Sequence, residues 1–238
     1  MCIILESDME DFKEYDISIN GVKETLKWPA ADQGCLGGIS RDWAHMSPFI
    51  HKSTLKWDIV VQAGGNCGLY PKLYGHMYEK VFTFEPDPTC FTFLSENCQS
   101  PNIYRFNAGL SDVAGYQTIG NAASYNVGMS KLGTGNIEIY TITLDSLDLP
   151  GVDLIHLDVE GWESKVLQGA RNTIVKYMPT ILFEVDNPSA EEFLTPLGYV
   201  VMHAFDAPDT HMLNKIMVHK DSAVYKFNIE NETIFNRI

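Results

Sequence analysis

Three short stretches carry residue types that could do chemistry. The first is Gly64-Gly65-Asn66-Cys67-Gly68, just after the β-branched run Ile59-Val60-Val61. Glycines let a chain turn sharply and let a ligand approach the peptide itself. The second is Glu85, which lies 21 residues beyond Gly64 (85 − 64). An acid about 20 residues after such a loop is where an open α/β domain places an acceptor for ribose hydroxyls. The third is Asp158-Val159-Glu160-Gly161-Trp162-Glu163. In an extended chain Asp158 and Glu160 share one face, so one could hold a cation or an acceptor while the other takes a proton. Each stretch also has a purely structural use, as a tight turn, a solvated strand end or a match to a helix dipole. The dinucleotide pattern G-x-G-x-x-G fails, because counting from Gly64 it needs glycines where Asn66 and Leu69 stand. No Walker A loop is present either.

These residues need a scaffold, and the chain alternates strand and helix from Trp57 onward. Strands are expected at Ile59–Val61, Val81–Phe84, Ile103–Phe106, Leu154–Leu157, Thr180–Val185, Tyr199–Met202 and Lys215–Val218. Helices are expected for about ten residues from Leu69 or Tyr70, from Pro88, and without a break over Glu163–Tyr177. Strands separated by helices imply a parallel sheet, with an antiparallel last strand because only a loop separates the final two. The fold class is therefore α/β: a doubly wound, mostly parallel sheet of seven strands. Residues 111–143 alternate in polarity between glycines and read as a β-hairpin insertion. In a doubly wound sheet the ligand cleft lies beyond the carboxyl ends of the strands, where all three stretches fall.

Three segments follow from this pattern: an extension over 1–56, a core over 57–220 and a tail over 221–238. Within the extension Asn20-Gly21 marks a hairpin between Tyr15–Ile19 and Val22–Leu26, and Ser40 is an N-cap for a helix through about Ile50. The aromatics Trp28, Trp43 and Phe49 are read as core or oligomer contacts, or as assembly with a partner through the extension, in preference to a lid. Tyr70, Tyr74 and Tyr78 recur at helical spacing and read as a packing face; His76 is a surface or packing residue.

The chain has 238 residues, Lys+Arg 17 against Asp+Glu 31 and a net charge of −14. Nothing basic is on hand to displace phosphate counterions, which argues against nucleic-acid partners. No run of 18 apolar residues exists, so no membrane span is expected. The five cysteines are scattered without a CxxC pair, which suits reduced thiols in a cytoplasm better than a disulfide framework or a zinc cage. No metal is expected.

The stretches above, with Phe84-Glu85-Pro86-Asp87-Pro88, Leu110-Ser111-Asp112, Thr143-Leu144-Asp145-Ser146-Leu147 and Val166-Leu167-Gln168-Gly169-Ala170, resemble the FkbM family of S-adenosylmethionine-dependent methyltransferases over about Trp57 to Lys220. The resemblance implies a class I methyltransferase fold with S-adenosyl-L-methionine as cofactor. It also implies O-methylation of a sugar or small-molecule hydroxyl. On that resemblance the loop Gln62, Gly64, Gly65, Asn66 and Gly68 holds the methionine portion, Glu85 and Pro86 the ribose, and Asn107 lies beside the adenine. Asp158 or Glu160 sits near the transferred methyl, and His203 or His211 in the last loop are further candidates for a base. The family has an acid where this chain has Gln62, and often a Lys where it has His156. The first departure leaves open a non-catalytic binding or structural module, and it predicts that an acid restored at position 62 tightens cofactor binding.

Overall fold

The computed structural model describes residues 11–19, 21–121, 127, 128, 130–185, 188–206 and 213–231. At the amino end β1 (Phe12–Ile19) and β2 (Val22–Pro29) form an antiparallel hairpin, paired from Ile19↔Val22 to Phe12↔Pro29. Gly21 takes φ +85° at the expected turn.

Helix α1 (Cys35–Lys52) begins five residues before the expected Ser40. The Asp32 carboxylate explains the earlier start: it accepts the Leu36 amide at 3.3 Å and the Trp28 indole N–H at 3.0 Å. The Ser40 hydroxyl instead donates back to the Leu36 carbonyl, a bond available to a serine inside a helix.

The elements that follow are β3 (Ile59–Ala63), α2 (Leu69–Tyr74), β4 (Lys80–Phe84), α3 (Pro88–Asn97) and β5 (Ile103–Phe106). Helix α2 has six residues where about ten were expected, and Gly75 follows it. Next come β6 (Gly109–Leu110), β7 (Gly115–Asn121), β8 (Ser130–Leu132) and β9 (Ile137–Ile142). They build a four-stranded sheet in the order β6-β9-β7-β8. The expected insertion is thus larger than a hairpin, because Gly109–Leu110 pairs in parallel with Thr141–Ile142 and adds a strand.

The chain then forms β10 (Leu154–Leu157), α4 (Glu163–Gly169), α5 (Arg171–Tyr177), β11 (Thr180–Glu184) and α6 (Ser189–Leu194), and ends with β12 (Tyr199–Asp206), β13 (Leu213–His219) and α7 (Ala223–Glu230). The long helix expected over Glu163–Tyr177 is two helices. Asp145, a distant residue, caps the second by accepting the Asn172 and Thr173 amides at 2.9 and 2.8 Å.

The main sheet has seven strands in the order β12-β13-β11-β10-β3-β4-β5. Neighbours from β11 to β5 are parallel, and β13 runs antiparallel to both β11 and β12. Side chains alternate between its faces. Val60, Val81, Leu154, Leu182 and Ile216 pack with Trp28, Trp43 and Ile50 on one side. Val61, Phe84, Ile155, Phe183 and Met217 pack with Val166, Ile174 and Leu194 on the other. Trp28 and Trp43 are core residues as expected. Tyr70, Tyr74 and Tyr78 are also buried, with Tyr74 edge-on to Trp43. No helix among the described residues is long and apolar enough to cross a membrane.

Candidate functional site

A cavity of about 570 Å³ opens beyond the carboxyl ends of β3, β4, β10 and β11, within the usual size of small-molecule sites, about 300–1,000 Å³. One wall is the face of α1 that carries Cys35, Gly38, Asp42 and Met46. The amino-terminal extension therefore covers the cavity as well as filling core, a role that the sequence reading ranked second.

The glycine loop forms the floor between β3 and β4. The amides of Gly64 and Gly65 both donate to the Phe84 carbonyl, at 3.0 and 2.9 Å. Gly64 has φ +85°, and a Cβ on it would lie 1.8 Å from the Asp158 carbonyl oxygen. Only glycine lets these two loops meet.

Glu85 locks the loop to the next strand. Its carboxylate accepts the Asn66 amide at 2.7 Å and the Asp87 amide at 2.8 Å. Burial pushes its pKa up to about 7, against the lowering by those two amides. Each oxygen keeps a further lone pair for a ligand hydroxyl. Asp87 in turn caps α3 by accepting the Thr89 and Cys90 amides.

Beside the loop, Asp158 and Glu160 line the cavity together with Glu184 from β11 and Asp42 from α1. Burial raises the Asp158 pKa well above the usual carboxylate range, and the negative charges of Glu184, Glu160, Glu163 and Asp42 raise it further. Glu160 takes the left-handed conformation, φ +54°, which points the chain into the turn at Gly161; Lys131 faces its carboxylate at 3.7 Å. Beneath them His156 accepts or donates a 3.1 Å bond between Nδ1 and the Tyr74 hydroxyl, and burial lowers its pKa to about 3, so the ring stays neutral. Among the described residues no group of three or more His, Cys, Asp or Glu side chains is arranged to hold a metal ion.

Of the expected site residues, Gly64, Gly65, Asn66, Glu85, Pro86, Asp158 and Glu160 line the cavity. Gly68, Asn107 and His203 stand off it. Gly68 takes φ +101° at the start of α2, against Cys98. Asn107 donates its amide to the Glu85 and Pro86 carbonyls, supporting the acid's strand end from behind. His203 lies on β12 at the far edge of the sheet, packed on Phe49 at 5.0 Å, and burial lowers its pKa to about 4. His211 falls outside the described residues. Asp42, Glu184 and His156 are cavity residues that the sequence reading did not place there.

Gln62 also stands behind the cavity. It is fully buried; its amide nitrogen donates to the Gly64 carbonyl at 2.8 Å, and its oxygen accepts the Thr83 hydroxyl at 2.7 Å. A carboxylate there would set an acceptor against the Gly64 carbonyl. We therefore expect Gln62→Glu to destabilise the fold by at least about 1–3 kcal/mol, the cost of an unsatisfied buried polar group. The earlier expectation, tighter cofactor binding, is replaced by this one. Urea midpoints of the two proteins measure it, and an unchanged midpoint would refute it.

A mixed seven-stranded sheet whose strand ends carry a glycine loop, a strand-end acid and a carboxylate cluster defines a protein of the methyltransferase fold class. The family follows from comparison. The model of the methyltransferase FkbM domain matches residues 69–227, and the chain belongs to that family. The hexuronic acid methyltransferase AglP of Haloferax volcanii is 31% identical over 124 residues, 49% of this chain and 52% of that protein. The crystal structure of methyltransferase FkbM from Methylobacillus flagellatus superposes with a TM-score of 0.51 at 13% identity, covering 79% of this chain and 55% of that one. Trm5b from Pyrococcus abyssi gives 0.51 at 14% identity, with 88% and 56% covered. The chain thus spans about half the length of these relatives, and the two structures support the fold alone.

Proposed function

We propose that the chain transfers a methyl group from S-adenosylmethionine to a hydroxyl of a sugar or another small molecule. The observation that carries this reading is the shared cavity: the Gly64–Asn66 loop, Glu85, Asp158 and Glu160 all line it, in a chain of the FkbM family. The residues present fit the cofactor. The backbone of Gly64, Gly65 and Asn66 lines the cavity, and Glu85 offers lone pairs for the two ribose hydroxyls. When bound, the cofactor supplies an electrophilic methyl on a sulfonium. Asp158, which lines the cavity, would take the proton of the acceptor hydroxyl. The α1 wall excludes water, and the loop fixes the line of approach, the main demand of such a displacement.

The helices on both faces and the parallel run from β11 to β5 support a doubly wound sheet. We take 57–220 as the catalytic unit, with the extension contributing α1 as a wall and the tail packing α7 beside β13. Cys35, Cys67, Cys90 and Cys98 are free and buried, in keeping with a reducing, cytoplasmic setting. The non-catalytic alternative was raised by Gln62, whose position as a loop support removes that argument.

The test is binding of S-adenosylhomocysteine. Glu85→Ala should weaken it by about 1.5–3 kcal/mol, the scale of hydrogen bonds to a charged group. The wild type should also depend on pH. The ionised carboxylate accepts hydroxyls, and with a pKa of about 7 it is roughly nine-tenths ionised at pH 8 and one-tenth at pH 6. Affinity should therefore fall about tenfold between those values, and Glu85→Gln should flatten the profile. The effect on the fold has the opposite sign. A carboxyl raised from 4.5 to about 7 on folding stabilises most below its unfolded pKa, and that contribution is lost as pH rises through 7. Calorimetry that finds no binding would overturn the proposal.

A further inference from the structure

A bound carboxylate needs donors, and the glycine loop has none to offer. All five of its amides are spent inside the fold. Gly64 and Gly65 donate to the Phe84 carbonyl, and Asn66 donates to the Glu85 carboxylate at 2.7 Å. Cys67 donates to the Asn66 side chain at 2.6 Å, and Gly68 to the Gly65 carbonyl at 2.9 Å. S-adenosylmethionine ends in an amino acid, whose carboxylate leaves water on binding, and a buried anion without a donor is costly. The loop can shape that end of the site. The hydrogen bond must come from elsewhere.

Tyr70, in α2 two residues beyond the loop, has what the loop lacks. It lines the same cavity and is only 6% exposed. Its ring packs on Trp43 at 5.9 Å and on His156 at 5.1 Å. Among the described residues its hydroxyl meets no hydrogen-bond partner, yet that atom is not sealed in the core. The little surface that Tyr70 keeps therefore opens on the cavity. Four residues on, the Tyr74 hydroxyl is satisfied by His156. Phenylalanine would pack as well at position 70, and an unmet buried hydroxyl is a net cost to folding. A ligand would meet it. Burial holds the phenol's pKa well above its ordinary value, and the acids Asp158 and Asp42 raise it further, so the group stays a neutral donor. Gln33 and Arg41, also in the lining, are exposed on the extension, and Asn214 lies on β13, three strands from β3.

Resting on the function proposed above, we infer that the Tyr70 hydroxyl donates the hydrogen bond that holds the cofactor's carboxylate, while the glycine loop gives that end its shape alone. The sulfonium is then held from two sides, by Glu85 through the ribose and by Tyr70 through the amino acid. That fixes where its methyl points, which an in-line transfer requires. No proton leaves Tyr70 in this role.

The experiment uses the full chain and two probes that differ by one group, S-adenosylhomocysteine and its decarboxylated form, S-adenosyl-3-thiopropylamine. Calorimetry measures the affinity of both for wild type and Tyr70→Phe. The substitution should weaken S-adenosylhomocysteine at least tenfold, the scale of a hydrogen bond to a charged group. It should change the affinity of the decarboxylated probe less than twofold. Tyr70→Phe should also melt no lower than wild type, because it removes a hydroxyl that no protein group meets. Equal loss for both probes, or loss for neither, overturns the inference. So does a variant that melts below wild type, which would place the hydroxyl in a bond within the fold. Discrimination between the probes that is lost in Arg41→Gln and kept in Tyr70→Phe overturns it too. Failure of wild type to bind S-adenosylhomocysteine is a separate result, which overturns the proposed function and this inference with it.

Discussion

Asp158→Asn should lower the rate of methyl transfer about 10²–10⁴-fold, the usual worth of a positioned general base, while the protein stays folded and cofactor affinity changes only a few-fold. Asparagine has the shape of a protonated aspartic acid and cannot accept the acceptor's proton. The surroundings of Asp158 make the stability side of the experiment specific. Burial and four neighbouring acids push its pKa well above the ordinary carboxylate range. A raised folded pKa means that the protonated form favours the fold, a contribution present at low pH and lost as pH rises through the raised value. A neutral amide removes that loss, so Asp158→Asn should be at least as stable as wild type at neutral pH. Wild-type rate should climb with pH as Asp158 ionises, and the variant's residual rate should not. Glu160→Gln should cost less, because Glu160 sits at the turn facing Lys131. Single-turnover transfer from labelled cofactor measures all three proteins, and full activity in Asp158→Asn would clear this residue.

The parts of this site that sequence made legible are the parts that local chemistry fixes. Ile59–Val61 had to be a buried strand, and the glycines after it had to turn. Pro88 after Asp87 marked the start of α3, where the Asp87 carboxylate indeed caps the amides. Asn20-Gly21 marked the hairpin. What escaped was non-local. Glu184 reaches the cavity because β11 pairs beside β10, and Asp42 because α1 crosses above the strand ends. Neither is close in sequence to Asp158. The break between α4 and α5 comes from Asp145, 25 residues before Ala170 (170 − 145), so helical periodicity could not show it. Gln62 looked like a lost cofactor ligand because a strand-end residue can point into the cleft or behind it. His203 was aimed at the cleft on loop position alone, and β12 lies at the far edge of the sheet. One signal was available for α1: Asp32 four residues before Leu36 is a better cap than Ser40 inside the helix.

Gly64→Ala should be the most damaging small change in the site. The residue takes φ +85°, and a left-handed conformation costs a residue with a Cβ about 1–2 kcal/mol. The added methyl would also lie 1.8 Å from the Asp158 carbonyl oxygen and 2.8 Å from its carbon. These are backbone atoms at the end of β10, and Asp158 is held by its own amide bond to the Ala63 carbonyl at 3.0 Å. No side-chain rotation relieves the contact; the loops must part. Overpacking of this kind costs about 1–3 kcal/mol more, for a total of about 2–5 kcal/mol and a fall in Tm of roughly 4–20 °C for a chain of this size. Parting the loops also moves Asp158 away from the Gly64–Asn66 turn, so the surviving folded fraction should bind S-adenosylhomocysteine more weakly and transfer methyl more slowly than wild type. Gly151→Ala is the control: no atom lies within 4 Å of a Cβ placed there, and its melting temperature and affinity should match wild type. If Gly64→Ala melts with the control and binds as tightly, the close approach of the two loops is not what shapes this cavity.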